Sequence, residues 1–180
     1  MASTRPSRID LGLLALRVGV GATLFSHGAQ KLFGWYGGKG LDATATAMDH
    51  MGFRPGKASA LAAGLGETAG ALIALGAATP MVSGAAAGTM IGAAEVHRPG
   101  GFFATAGGYE YPAVLGMAAG ALAITGPGAL SVDALLGNRL NRGWQATVAL
   151  TAACAAGSYV VSRRRAAIAA DAAAAEASTG

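Results

Sequence analysis

Charge is scarce in this chain. Asp, Glu, Lys and Arg together make up 12% of its 180 residues, about half the ~25% usual in soluble domains. A soluble domain of this length has to cover itself with polar groups, and the side chains for that are missing. Disorder is excluded too, because it needs low hydrophobicity and high charge. Cysteine is almost absent, with Cys154 the only one. That rules out an internal disulfide, a four-cysteine zinc site and a C-x-x-C pair, and with them any thiol relay carried by this chain alone. The phosphate-cradling P-loop, a G-x-G-x-x-G after a strand and H-E-x-x-H are all missing. Gly37-Gly-Lys-Gly40 lacks the P-loop frame and reads as a flexible loop. The 29 glycines follow no G-X-Y period, which excludes collagen.

What is present is apolar: 53% of the residues are hydrophobic. The net charge is +4, which in a soluble chain would invite a nucleic-acid reading. Here Lys and Arg stand at the ends of apolar runs, where membrane proteins keep their topogenic charges. The expected partner is therefore the lipid bilayer, with no nucleic acid.

Five runs are long enough to consider as membrane spans, which need ~20 residues. They are Ile9 to Phe33, Ala58 to Thr79, Met81 to His97, Pro112 to Thr125 and Trp144 to Val161. Arg5 and Arg8 precede the first run as in a signal peptide, but Arg17 interrupts the apolar stretch and no small-residue cleavage site follows. Pro80 is expected to end the second run and leave a hairpin with the third. The fourth run is short and is expected to continue past Gly126-Pro-Gly to Leu130 with a kink. Arg163-Arg-Arg165 stops the fifth, and the Ala-rich tail beyond is expected to be exposed and loosely ordered. Glycines four apart (Gly66/Gly70, Gly84/Gly88/Gly92 and Gly116/Gly120) are expected to let helices approach closely in lipid. The expected fold is all-α: a polytopic transmembrane helix bundle with a four-helix core and a fifth, C-terminal transmembrane helix.

With five spans, the N-terminal side (side A) holds Arg5, Arg8, Arg139 and Arg142. The opposite side B holds Lys31, Lys39, Arg54, Lys57, Arg98 and Arg163 to Arg165. The positive-inside rule then puts side B in the cytoplasm. If the fifth run does not span, the preference reverses.

Charges inside a bilayer cost several kcal/mol (about 2.5–3.5 on insertion scales) and face the bundle interior. Arg17 and Glu67 each lie well inside a run, so they are expected to form an intramembrane ion pair. A second set gathers on side B: His27, Gln30 and Lys31 at the end of the first run, Glu95 and His97 at the end of the third, and Tyr109, Glu110 and Tyr111 before the fourth. His, Gln, Lys and Tyr can donate hydrogen bonds to a quinone carbonyl, and His or Glu can exchange the accompanying proton. The bland alternative is an ordinary polar rim where helices leave the membrane. His27 and His97 could also be axial haem ligands, but two lone histidines without an attachment motif weigh against haem. No metal site is expected, because the spacing supports none. The loop Arg98 to Tyr111, with Phe102 and Phe103 between glycine pairs, is expected to fold over this cluster as a lid.

Arg17-Val-Gly-Val-Gly followed by His27-Gly-Ala-Gln-Lys-Leu-Phe-Gly-Trp-Tyr-Gly-Gly-Lys-Gly-Leu41 resembles the signature of the DoxX family of bacterial membrane proteins. Gly66-Glu67, His97, Gly101-Phe-Phe103, Gly108-Tyr-Glu-Tyr-Pro112, Gly126-Pro-Gly and Ser131-Val-Asp133 follow in the matching order. The resemblance implies a multi-pass core in the bacterial cytoplasmic membrane. It also implies a place as membrane subunit of a redox-linked, quinone-associated complex with a soluble redox partner. The expected organisation is an N-terminal tail at 1–8, a DoxX-like four-helix core at 9–137, an added helix at 138–162 and a basic, then Ala-rich tail at 163–180. The competing reading is a non-enzymatic scaffold or small-solute permease, with Arg17 and Glu67 as gate or register lock.

Overall fold

A computed structural model of the chain describes residues 6–179; Arg5, counted above toward orientation, lies outside them. The described residues form helices and no strand. In chain order the helices are α1 (Arg8–Phe33), α2 (Gly40–His50), α3 (Gly56–Thr68), α4 (Gly70–Leu75), α5 (Thr79–His97), α6 (Glu110–Thr125), α7 (Val132–Leu135) and α8 (Gly143–Ala177).

Local chemistry sets the helix ends. Ser7 and Asp10 form a capping box at the start of α1, satisfying backbone donors that have no partner in the first turn. Asp10 also accepts from Ala129 N–H at 2.7 Å, tying α1 to the segment after α6. Asp49 accepts from Gly56 N–H at 2.7 Å and so starts α3. The second run stops earlier than expected. Gly76, at φ +68°, turns the chain after Leu75, and Pro80 lies in the first turn of α5. Proline starts this helix instead of ending the previous one, because a first-turn residue has no intrahelical N–H bond to lose.

α1 runs antiparallel to α3 and α4: Gly21 packs against Gly70 and Ala74, and Gly28 against Gly64 and Thr68. α5 and α6 pack antiparallel, with Met90 over Gly116. α8 lies parallel to α5, with Gly84 on Ala149, Gly88 on Ala153 and Gly157 on Ile91. Small residues thus bring backbones together at several crossings, though Gly92 and Gly120 meet no neighbour. The apolar core is modest: Val20, Leu24, Ile73, Ala86, Met90, Ala119 and Leu122.

Two further expectations fail. α6 does not continue to Leu130, because Gly126 takes a positive φ of 76° and Pro127 follows it; a few irregular residues then lead into α7. The basic and Ala-rich tail is not loose: α8 runs on through Arg163–Arg165 to Ala177. Alanine is the best helix former, and charge at the end of an apolar stretch does not break a helix.

The surface is inverted relative to a soluble protein. Leu65, Leu75, Val114, Met117 and Ile124 are exposed, while Arg17, Glu67, Asp133, Thr79, Ser83 and Ser131 are buried. Among the described residues, two stretches are long and apolar enough to cross a membrane, α1 and the α3–α4 segment (Gly56–Leu75).

Candidate functional site

The candidate residues of side B divide into separate groups. At the centre, α1 presents His27 and Lys31 one turn apart, on the same helix face. Lys31 Nζ donates to Glu67 Oε2 of α3 at 2.5 Å. The Glu67 side chain is 5% exposed and that of Lys31 26%. His27 Nε2 is hydrogen-bonded to the Tyr111 hydroxyl of α6 at 3.0 Å, and the two rings meet edge to face. The Glu67 carboxylate is close enough to act electrostatically on Tyr111. Three helices therefore converge on four exchangeable groups. Tyr111 is 46% exposed, so the site can be approached from outside the bundle.

Gly28 makes this convergence possible. It sits one residue from His27, and a Cβ there would strike Thr68 and the Gly64 carbonyl. Without side-chain bulk at 28, α1 comes close enough to α3 for Lys31 to reach Glu67.

The remaining candidates serve other ends. Gln30 donates to the Tyr36 carbonyl at 3.2 Å and holds the turn after α1. His97 Nδ1 is bonded to the Gly107 carbonyl at 3.0 Å. Glu110 accepts from Ala104 N–H at 2.9 Å. Glu95 pairs with arginines of α8, Arg165 nearest at 2.7 Å. Tyr109 packs edge-on against Phe102.

The loop from Arg98 to Tyr109 closes on itself instead of covering His27. Tyr109 N–H donates to the Gly101 carbonyl at 3.0 Å, and Glu110 N–H to that of Phe102 at 2.8 Å. Phe103 remains 66% exposed. Several of the loop's backbone donors are satisfied within it, and its Phe102 and Phe103 side chains remain exposed.

Arg17 and Glu67 do not pair. Their depths are similar but are counted from opposite faces, so the antiparallel register keeps them apart. Fourteen residues separate Arg17 from Lys31, Glu67's actual partner, or ~21 Å of helix. Arg17 instead donates to the carbonyls of Ala74 at 3.4 Å and Leu130 at 2.5 Å. Beside it lies Asp133, fully buried, whose two oxygens accept from Ala78 N–H at 2.8 Å and Thr79 N–H at 2.9 Å. Asp133 caps α5 from a distant part of the chain and lies within electrostatic reach of Arg17, with no direct bond between them. Gly76 lies against the guanidinium, where any Cβ would collide with it. Sequence reasoning missed Asp133 as Arg17's counter-charge. The signal was Ser131-Val-Asp133 in the family-like pattern, which by itself says nothing about where the acid folds.

No group of three or more His, Cys, Asp or Glu side chains among the described residues is arranged to hold a metal ion. His27 and His97 belong to separate hydrogen-bonded groups, so no shared ligand set brings them together.

Buried charges inside and large apolar side chains outside define an integral membrane protein built of helices. The family model DoxX matches residues 12–103, just over half of the chain. The chain belongs to the DoxX family. Neither a curated protein nor a solved structure matches it. The matched segment holds His27, Lys31 and Glu67; Tyr111 and Asp133 lie beyond it.

Proposed function

We propose that this is a multi-pass protein of the bacterial cytoplasmic membrane and the membrane subunit of a redox-linked assembly. Its His27–Tyr111 and Lys31–Glu67 site binds a quinone headgroup. In this reading α5, α6 and α8 also cross the bilayer around α1 and α3–α4, making a core at 9–137 with α8 as the added span. The observation that carries the assignment is the hydrogen bond between His27 and the half-exposed Tyr111, set beside a buried ion pair. A carbonyl ligand arriving from the lipid can accept from the tyrosine hydroxyl or the imidazole. The imidazole can supply the proton that reduction requires, and the adjacent Lys31–Glu67 pair holds the local charge. The redox link itself comes from the family, and a soluble partner would supply the electrons.

The test is titration of purified protein in mild detergent with a short-chain quinone analogue. Tyr111→Phe and His27→Gln are each expected to weaken binding about tenfold, the scale of one hydrogen bond. A quinone-free preparation that does not bind the analogue overturns the headgroup assignment and favours the scaffold. One observation favours that second reading: both contacts tie α1 to its neighbours, as a register lock does.

A further inference from the structure

α5 and α8 touch through small residues for most of their shared length and part near side B. Above the contact of Gly157 with Ile91, a cleft of about 790 Å3 opens between them. Ala94, Ser158 and Ser162 are too small to fill it, and Ile91 and Val161 supply apolar wall. The mouth is cationic. Glu95 receives two bonds from Arg165, at 2.7 and 2.8 Å, and faces Arg164 at 3.7 Å and Arg98 at 3.9 Å. Three guanidinium groups around one carboxylate leave a surplus of two positive charges. Arg164 also donates to the Met51 carbonyl at 2.9 Å. Arg98 and Arg165 line the cleft and are 65% and 53% exposed, with N–H groups directed to no other side chain among the described residues.

We propose that this cleft binds an anionic phospholipid. The phosphate sits on Arg98 and Arg165, and an acyl chain lies along Ile91 and Val161. A soluble anion has no use for the apolar wall, and a zwitterionic lipid does not match a surplus of two charges. The cleft lies where the helices leave the bilayer, and juxtamembrane arginines attract anionic headgroups there. Tyr109, on the cleft rim, packs against Phe102, whose neighbour Phe103 faces outward at the depth where aromatic side chains anchor in the interface. The inference rests on α5 and α8 crossing the membrane and is independent of any redox role.

The experiment is a thermal melt of the full chain in neutral detergent, with added phosphatidylglycerol, phosphatidylcholine or inorganic phosphate. Phosphatidylglycerol is expected to raise the wild-type midpoint, and the other two to leave it unchanged. Arg98→Gln leaves the bidentate Arg165–Glu95 pair in place and should raise the half-maximal lipid concentration about fivefold, the share of one cation at an anionic surface. Ser158→Leu fills the cleft without changing charge and should abolish the response. Several results overturn the site: equal stabilisation by phosphatidylcholine, a matching effect of inorganic phosphate alone, no response of the wild type, or both variants responding as wild type does. Release of the protein from membranes by an alkaline carbonate wash would overturn the membrane reading beneath it, a different result from any of these.

Discussion

Glu67 and Lys31 differ in their access to water, and that difference decides what each substitution does. Glu67 is enclosed, whereas Lys31 keeps a quarter of its side chain exposed and carries a flexible stem. Lys31→Met leaves a buried carboxylate without a partner, at a cost of about 3–5 kcal/mol. Glu67→Gln lets the ammonium swing toward the interface, so the loss is closer to that of a hydrogen bond, about 1–2 kcal/mol. The double variant should recover most of the larger loss. Thermal melts in detergent measure all three, and equal damage from the two single changes would contradict the asymmetry. At the other end of α1, Arg17 is held by two carbonyls and the nearby Asp133 charge, so its environment tolerates no change at Gly76.

α8 is the element whose extent was least expected. Its first half packs on α5 through Ala149 and Ala153, and its second half leaves that groove and docks on the α2–α3 connection. There Ile168 meets Gly52, the Arg164 guanidinium lies over the Phe53 ring, and Arg54 makes a two-pronged pair with Asp171 at 2.9 and 2.7 Å. Asp49 also lies within electrostatic reach of Arg54. The hydrogen bonds from Arg54 hold the Asp171 carboxyl below its usual range. A carboxylate depressed in the folded state contributes stability above its unfolded pKa and loses it as pH falls through the folded one. The end of α8 should therefore stay docked from neutral pH down through the ordinary carboxylate range, and loosen only below it. Amide exchange across 166–177 measured against pH tests this, with Asp171→Asn expected to remove the pH dependence. The effect is small, because the pair is open to solvent and screened by salt.

At the scale of the molecule, the inverted distribution of polarity is the main physical fact. Water would oppose a surface carrying Met117 at 70% exposure and Ile124 at 71%, whereas lipid would not. The proposed five crossings would place the two ends on opposite sides, so reporters fused before Met1 and after Gly180 should report opposite compartments. Identical compartments would mean that α8 lies along the surface and that the core alone spans. α5 and α8 run parallel, as two crossings in the same direction would require.

Composition and run length by themselves determined that the protein is helical and apolar, and the motif around Arg17 and His27 determined its family. These properties are legible because hydrophobicity accumulates along a contiguous stretch and needs no knowledge of neighbours. The positions of α1 and α5 were readable for the same reason, each coinciding with an apolar run. Only the tertiary structure decided which charges meet. Lys31 takes Glu67, and Arg17 takes distant carbonyls beside Asp133, because helix register is set by the close approach at Gly21, Gly28 and Gly70 and not by depth within a run. The eight side-B candidates separated for the same physical reason. A shared membrane face puts polar groups at one height, while a hydrogen bond needs them within about 3 Å, and only interhelical packing brings His27 to Tyr111.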